Sequence, residues 1–334
     1  MPFRRQLLLT FLAAGMPWPF ASASGSAWWQ IWCEQYLRNG RVVDWQQGIS
    51  HSEGQGYGLL LAQAIGDRNA FEQIEAWTQA HLAVRQDRLM AWSRRQEDGR
   101  IDWRNATDGD LFRAWALLRA DRDSGWNGYR DTALAVARDI ADLCLSPDPR
   151  APAEWLLLPG AEARRTPDRV LFNPSYIMPR ALRELGEAAS DPRLLQAADH
   201  GETVLAELAA SSQLWNWVDV TGSSFLPSEE HRAGWGFDAL RIPLYLVWSG
   251  YRAHPAVAAA LQNLMMDAQP GHVVVARDEE GHLISQSDRP GFLALRDLTH
   301  CATLPNWLSG AGDYYSDILL ALCHVALREG ECFA

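Results

Sequence analysis

Three segments of the chain set a carboxylate among residues suited to close packing rather than to solvation. The first is His51-Ser52-Glu53-Gly54-Gln55-Gly56-Tyr57-Gly58-Leu59-Leu60, where three alternating glycines run into an apolar stretch. Glycine lets another backbone approach closely. Ser52 followed three positions later by Gln55 has the spacing of a capping box, which predicts Glu53 in the first turn of a helix. The helix dipole there favours the ionised carboxylate, so use of Glu53 as a proton donor requires burial or a neighbouring carboxylate to raise its pKa. The second segment, Asn105-Ala106-Thr107-Asp108-Gly109-Asp110, precedes the apolar run from Leu111 to Leu118. Thr107 and Asp110 repeat the capping-box spacing and set Asp108 at another helix start. In the third, Trp235 to Tyr245, Asp238 and Arg241 are i, i+3 and pair if the segment is helical. Apolar residues on both sides of that pair argue against a solvated surface contact.

A lone first-turn glutamate ordinarily does no more than complement the helix dipole, and Asp108 with Asp110 alone reads as a helix start. Three acidic residues at three predicted helix starts make a pattern that none makes singly. Helices closed into a ring present their N-termini around one mouth, where Glu53, Asp108 and Asp238 would converge. Paired carboxylates of this kind hydrolyse glycosides: one protonates the leaving oxygen, and the other activates water or attacks the sugar. Rival motifs fail on their own terms. The glycines do not make G-x-G-x-x-G, because Leu59 stands at the last position and no strand precedes them. The segment around Asp108 lacks the glutamate of an EF-hand loop, and no G-x-S-x-G elbow occurs.

The elements that must hold these residues read as helices. Apolar positions recur near the 3.6-residue period over residues 28–38, 55–66, 69–84, 109–121, 128–144, 175–187, 192–210, 236–250, 254–267 and 312–328, about ten to twelve helices. Hairpins are expected at 91–103, around Asp98-Gly99, and at 273–285, around Glu279-Glu280-Gly281. The loops are short and no polar linker divides the chain, so one domain is expected over residues 24–334. Many antiparallel helix pairs make either a closed toroid of hairpins or an open solenoid, and the absence of a sequence repeat disfavours the solenoid.

Composition narrows the chemistry further. All 30 basic residues among the 334 are arginines, which removes P-loop, Schiff-base and Ser-x-x-Lys mechanisms. A formal charge of −11 disfavours nucleic acid as a partner. The 16 tryptophans suit stacking on pyranose rings, although about half are expected in the core. Arg4-Arg5, an apolar run from Leu7 to Gly15 and the small residues Ala21-Ser22-Ala23 have the layout of a signal peptide over residues 1–23, predicting export to the periplasm or medium. The five cysteines have no C-x-x-C spacing; His300-Cys301 and Cys323-His324 read as buried positions rather than metal ligands, and no metal or organic cofactor is expected.

The three acidic segments resemble glycoside hydrolase family 8, in family order and accompanied by Leu89-Met90-Ala91-Trp92 and Asn173-Pro174-Ser175-Tyr176. The resemblance runs over roughly residues 28 to 328 and is nearest to the endoglucanases associated with bacterial cellulose synthesis. It implies an all-α (α/α)6 toroid with small β-hairpin excursions. It also implies hydrolysis of β-1,4-glucan near cellulose synthase machinery, with Glu53 as general acid, Asp238 as the base of an inverting reaction and Asp108 on the sugar at the cleavage subsite. An alternative assignment makes Asp108 a nucleophile and the reaction retaining. Tyr176 and Arg241 match a tyrosine near the catalytic water and an arginine beside the base; Trp92, with Trp103 behind it, is a candidate stacking residue. Phe237 stands where relatives commonly carry tyrosine. Chitosan, xylan or mixed-linkage glucan as substrate, and a non-catalytic glucan-binding role, are the alternatives.

Overall fold

The computed structural model describes residues 23–305, 313–330 and 332. The leader expected over residues 1–23 lies outside them, except for Ala23, which opens the first helix. Eleven α-helices occur among the described residues: α1 (Ala23–Tyr36), α2 (Ser52–Ile65), α3 (Arg68–His81), α4 (Thr107–Arg122), α5 (Arg130–Leu143), α6 (Pro179–Ala189), α7 (Pro192–Ala210), α8 (Ile242–Trp248), α9 (Pro255–Met265), α10 (Pro290–Thr299) and α11 (Tyr314–Glu329).

Five of them close a ring, in which α2 packs on α4, α4 on α6, α6 on α8, α8 on α11, and α11 back on α2. The sequence explains why these five face inward. Leu59 to Ala62 and Leu111 to Leu118 are buried on every face of α2 and α4, as expected of helices surrounded by others. Around them α3 covers α2, α5 covers α4, α7 covers α6, α9 covers α8 and α10 covers α11. The result is the all-α toroid of helical hairpins, with Trp32, Trp115, Trp248, Phe71 and Tyr245 among its largest buried side chains.

Two expected helices begin later than the periodicity suggests. Proline explains the first: the run expected from 175 is broken at Met178, whose extended backbone (ψ 89°) precedes Pro179 at the start of α6. The run expected from 236 opens with a 3-10 turn, Ala239–Arg241, before α8. Helix α10 is absent from the periodicity reading. Its Pro290-Gly291 opening reads as a turn, although proline is also well suited to the first helical position.

Both expected hairpins form. Ser93–Arg95 pairs with Ile101–Asp102, and Val273–Arg277 pairs with Leu283–Ser287. Three further strands matter for the site. Ile49–His51 pairs with Ser93–Arg95 ahead of α2. Arg169–Phe172 pairs with Val218–Thr221 in a four-stranded antiparallel sheet.

Candidate active site

Helices α2 and α4 meet backbone to backbone at their N-terminal ends. A Cβ on Gly109 would lie 2.5 Å from Ser52 Oγ and 2.7 Å from the Glu53 amide nitrogen, and one on Gly56 would lie 2.9 Å from the Gly109 carbonyl oxygen. Two glycines in contact therefore permit the approach that sets Glu53 beside Asp108. Neither capping box forms. The N-cap of α2 is His51, whose Nδ1 accepts from the Gly54 amide at 3.0 Å, while Ser52 and Glu53 are already helical. Gln55 instead accepts from the Val42 amide and donates to Thr78 Oγ1, tying α2 to its neighbours. At α4 the N-cap is Ala106, which makes no capping bond, and the Asp110 carboxylate accepts from the Met90 amide and the Asn105 side chain. Each cap expectation is thus displaced by one residue, because buried tertiary partners claim Gln55 and Asp110.

The third acidic residue arrives from the 3-10 turn before α8, and Arg241 gathers all three. Arg241 Nη1 lies 2.9 Å from Glu53 Oε1 and 3.0 Å from Asp108 Oδ2, while Nη2 lies 2.8 Å from Asp238 Oδ1. The guanidinium is 2% exposed, Asp108 is fully covered, and Glu53 and Asp238 reach solvent at 19% and 28% of their side-chain areas. The i, i+3 pairing of Asp238 with Arg241 is therefore buried, as the flanking apolar residues imply. Arg241 Nη2 also donates to Ser175 Oγ at 2.9 Å and Nη1 to the Tyr57 hydroxyl at 3.2 Å, while the guanidinium lies 5.7 Å from the centre of the Tyr176 ring. The second oxygen of Asp238 accepts from the Trp217 indole at 3.0 Å.

The small sheets deliver these partners. Because Phe172 pairs with Val218, the chain leaving one strand toward Ser175 and Tyr176 and the chain entering the other from Trp217 lie at the same end of the sheet. The pairing of His51 with Ser93 works the same way for Trp92, whose carbonyl accepts from the Ser52 amide at 2.7 Å.

Three ionised carboxylates around one guanidinium would leave an excess of negative charge in a dry site, and the three respond differently. Burial pushes Asp108 well above the usual carboxylate range, Glu53 adds to the shift, and Arg241 opposes it. Burial also raises Asp238 against the pull of Arg241. For Glu53, burial acts upward but is outweighed by Arg241, by His51 and by hydrogen bonds from Arg241 and Tyr57, so the net direction is down. The expectation that burial or a neighbouring carboxylate raises the pKa of Glu53 is corrected accordingly. Of the pair, the more deeply covered Asp108 is the one pushed toward its protonated form, and Glu53, in the first turn of α2 and against the cation, is the one held toward its ionised form.

Glu53, Asp238 and Arg241 line a cleft of about 410 Å3 together with Trp92, Phe237, Tyr315 and His51. Asp108 and Tyr176 do not line it; they sit behind Arg241. Trp92 is exposed on the cleft wall, and Trp103, also exposed, lines an adjoining cleft that shares Trp92. Tyr57, Ser175 and Trp217 carry no role in the sequence reading. Tyr57 has a legible signal, since it lies four residues after Glu53 on the same helix face; Trp217 is placed by sheet register, which no local pattern reveals. Elsewhere, Cys301 is disulfide-bonded to Cys332 and His300 is exposed, so that dipeptide is neither buried nor a ligand pair.

A "Probable endoglucanase" of Novacetimonas hansenii is 33% identical over 322 residues, covering 90% of each chain. The endo-beta-1,4-glucanase CMCax of Acetobacter xylinum superposes with a TM-score of 0.80 at 30% identity, covering 92% of this chain and 98% of that one. An endoglucanase of Komagataeibacter sucrofermentans gives 0.82 at 29% identity, covering 90% and 97%. The family model described as "Glycosyl hydrolases family 8" matches residues 1–326, and the chain belongs to that family.

Proposed function

We propose that the chain is an endo-β-1,4-glucanase that cuts internal linkages of a glucan lying in the cleft, with Glu53 as general acid and Asp238 as general base. The observation that carries this reading is the single buried guanidinium of Arg241, which holds two partly exposed carboxylates at the cleft floor and a third, fully covered, behind them. The endoglucanase names of the relatives favour cellulose over chitosan or xylan as substrate.

Glu53 must carry a proton when the glycosidic oxygen departs. Glu53 and Asp108 share Arg241 Nη1, so they titrate as a pair rather than as two independent acids. A sugar seated over Glu53 displaces water from the one member of the pair that reaches solvent, which favours its neutral form and draws the proton from Asp108. Asp108 therefore acts through Glu53 and Arg241 and has no exposed surface with which to contact the sugar. Asp238 is anchored through one oxygen by Arg241 and through the other by Trp217, and its raised pKa makes it a stronger base than a solvated aspartate. The Tyr176 ring lies beside Arg241, its centre 5.7 Å from the guanidinium carbon.

Glu53 and Asp238 hang from the two terminal nitrogens of one planar fork, which bounds their nearest oxygens to within roughly 8 Å of each other. That bound admits both the spacing of about 6.5–9.5 Å used for inversion and that of about 5–5.5 Å used for retention. Asp108 is covered and Asp238 is open to the cleft, which supports an attacking water on Asp238 and hence the inverting reading.

Glu53→Gln is expected to lose turnover on soluble cellulose derivatives by roughly 10²–10⁴-fold, the usual worth of a general acid, while retaining cello-oligosaccharide binding. Undiminished turnover sinks the assignment. NMR of the first-formed product checks the stereochemistry: the α-anomer is expected, and an initial β-anomer would point to retention.

We also propose export. The disulfide between Cys301 and Cys332 supports an oxidising compartment, and the leader-like N-terminus supports a secretory route. Action beside a cellulose synthase is the further expectation of the resemblance.

A further inference from the structure

The cleft beside the catalytic one, about 610 Å3, is lined by Gln47, Trp92, Arg95, Arg100, Asp102 and Trp103, among others. Its charge is unlike that of the rest of this acidic chain. Arg100 makes no side-chain hydrogen bond or ion pair with any described residue, and Arg95 reaches only Asp98, at 3.9 Å and with both side chains half exposed. The one acidic residue of the lining, Asp102, is bonded to Arg104 at 2.6 and 3.1 Å, and Arg104 foremost, with a weaker pull from Arg100, holds its pKa down. Two weakly compensated guanidinium groups therefore remain.

The hairpin places them together. The Arg95 amide donates to the Arg100 carbonyl at 2.8 Å across the turn at Asp98-Gly99, so the two arginines stand opposite each other. Like charges directly opposite on neighbouring strands destabilise a sheet. Trp103, 55% exposed, presents a ring to the same cleft.

We infer that this second cleft is a subsite for a glucan unit bearing an anionic group, a carboxylate or a phosphate ester, with Trp103 stacking on the sugar and Arg95 and Arg100 pairing with the anion. Arginine forks suit both groups. The inference rests on the reading of the first cleft as a glucan site, because a chain running from Glu53 past Trp92 enters the second cleft.

The test is equilibrium binding by calorimetry to the Glu53→Gln chain, which does not consume its ligand, using cellohexaose, C6-oxidised cellohexaose and C6-phosphorylated cellohexaose. Tighter binding of at least one anionic probe is expected, with the advantage shrinking as salt is raised. Arg95→Gln with Arg100→Gln is expected to erase it; the advantage is about three- to tenfold, the worth of two partly exposed charge contacts. Whichever anionic probe keeps the advantage identifies the group. Equal binding of all three probes, or a parallel loss for the neutral and anionic probes in the double variant, overturns the proposal. If Glu53→Gln fails to fold, the ratio of kcat/KM on carboxymethylated to hydroxyethylated cellulose, compared between the wild-type and doubly substituted chains, decides between the same two outcomes. A wild-type chain that hydrolyses neither polymer refutes the glucanase reading, whereas binding of the charged probes still decides the subsite.

Discussion

Arg241 is the residue on which the three carboxylates depend, and its shape matters as much as its charge. A guanidinium bonds in two directions at once; an ammonium on a lysine stem is a point charge and cannot hold Asp238 on one nitrogen with Glu53 and Asp108 on the other. Arg241→Lys is therefore expected to destabilise the fold by about 3–5 kcal/mol, the cost of leaving buried charge unpaired, and to move the pH-rate profile of any residual activity toward higher pH, since the cation that holds Glu53 down is displaced. Urea titration and a pH series on a soluble glucan check the two halves separately. Asp108 gives the opposite case. Its folded pKa lies above its unfolded value near 3.8, so its contribution to stability is full below that value and is lost as pH rises through the folded pKa. Asp108→Asn does not ionise, so its melting temperature relative to the wild type is expected to climb from pH 4 upward. Turnover should collapse, because the proton store behind Glu53 is gone. A difference in melting temperature that stays flat with pH would contradict the raised pKa.

At the scale of elements, the crossing of α2 and α4 sets the precision of the site. Adding a methyl at Gly109 drives it into backbone atoms of Ser52 and Glu53 that cannot rotate away. Gly109→Ala is expected to cost about 1–3 kcal/mol, as overpacking does, and to reduce kcat beyond what the lost folded fraction explains, because Glu53 itself is displaced. Gly222→Ala is the control: its nearest contact is the Pro149 carbonyl oxygen at an ordinary 3.9 Å. Measured melting curves and kcat for the two variants should diverge. The glycines are legible in the sequence as a demand for close approach, and so are both helix starts to within a residue. The caps are not, because a pattern of Ser52 with Gln55 cannot show that Val42 and Thr78 will claim the glutamine first. Helix α10 escapes for a related reason: Pro290-Gly291 satisfies the rule for a turn as well as the rule for a helix start. The role of Trp217 depends on the pairing of Phe172 with Val218, a long-range register with no local signature.

Across the whole molecule, the toroid is readable from helix periodicity and short loops, since apolar faces recurring through one undivided chain have few ways to be covered other than by one another. Which cysteines pair is not readable, because five thiols of unremarkable spacing carry no geometry. The Cys301–Cys332 bond joins the end of α10 to the residues that follow α11, a sequence separation of 31, and so fastens the C-terminal ends of two helices that run side by side in the same direction, the Gly291 amide at the start of α10 donating to Ser316 at the start of α11. Helix α11 opens at Asp313, Tyr314 and Tyr315, all of which line the catalytic cleft. Tyr315 also donates from its hydroxyl to the Phe237 carbonyl, one residue before the base. In the chain-entropy account a loop of this length restrains the unfolded state by about 3–4 kcal/mol. Cys301→Ala with Cys332→Ala is expected to lose that much in denaturant titration, and reduction of the wild type by thiol should reproduce it. Because the bond lies at the far end of the segment that carries Tyr315, the loss should appear first as a raised KM, with kcat per folded molecule nearly preserved. A fall in kcat at unchanged KM would instead tie the disulfide to the position of Asp238 and extend its influence from the wall of the cleft to its floor.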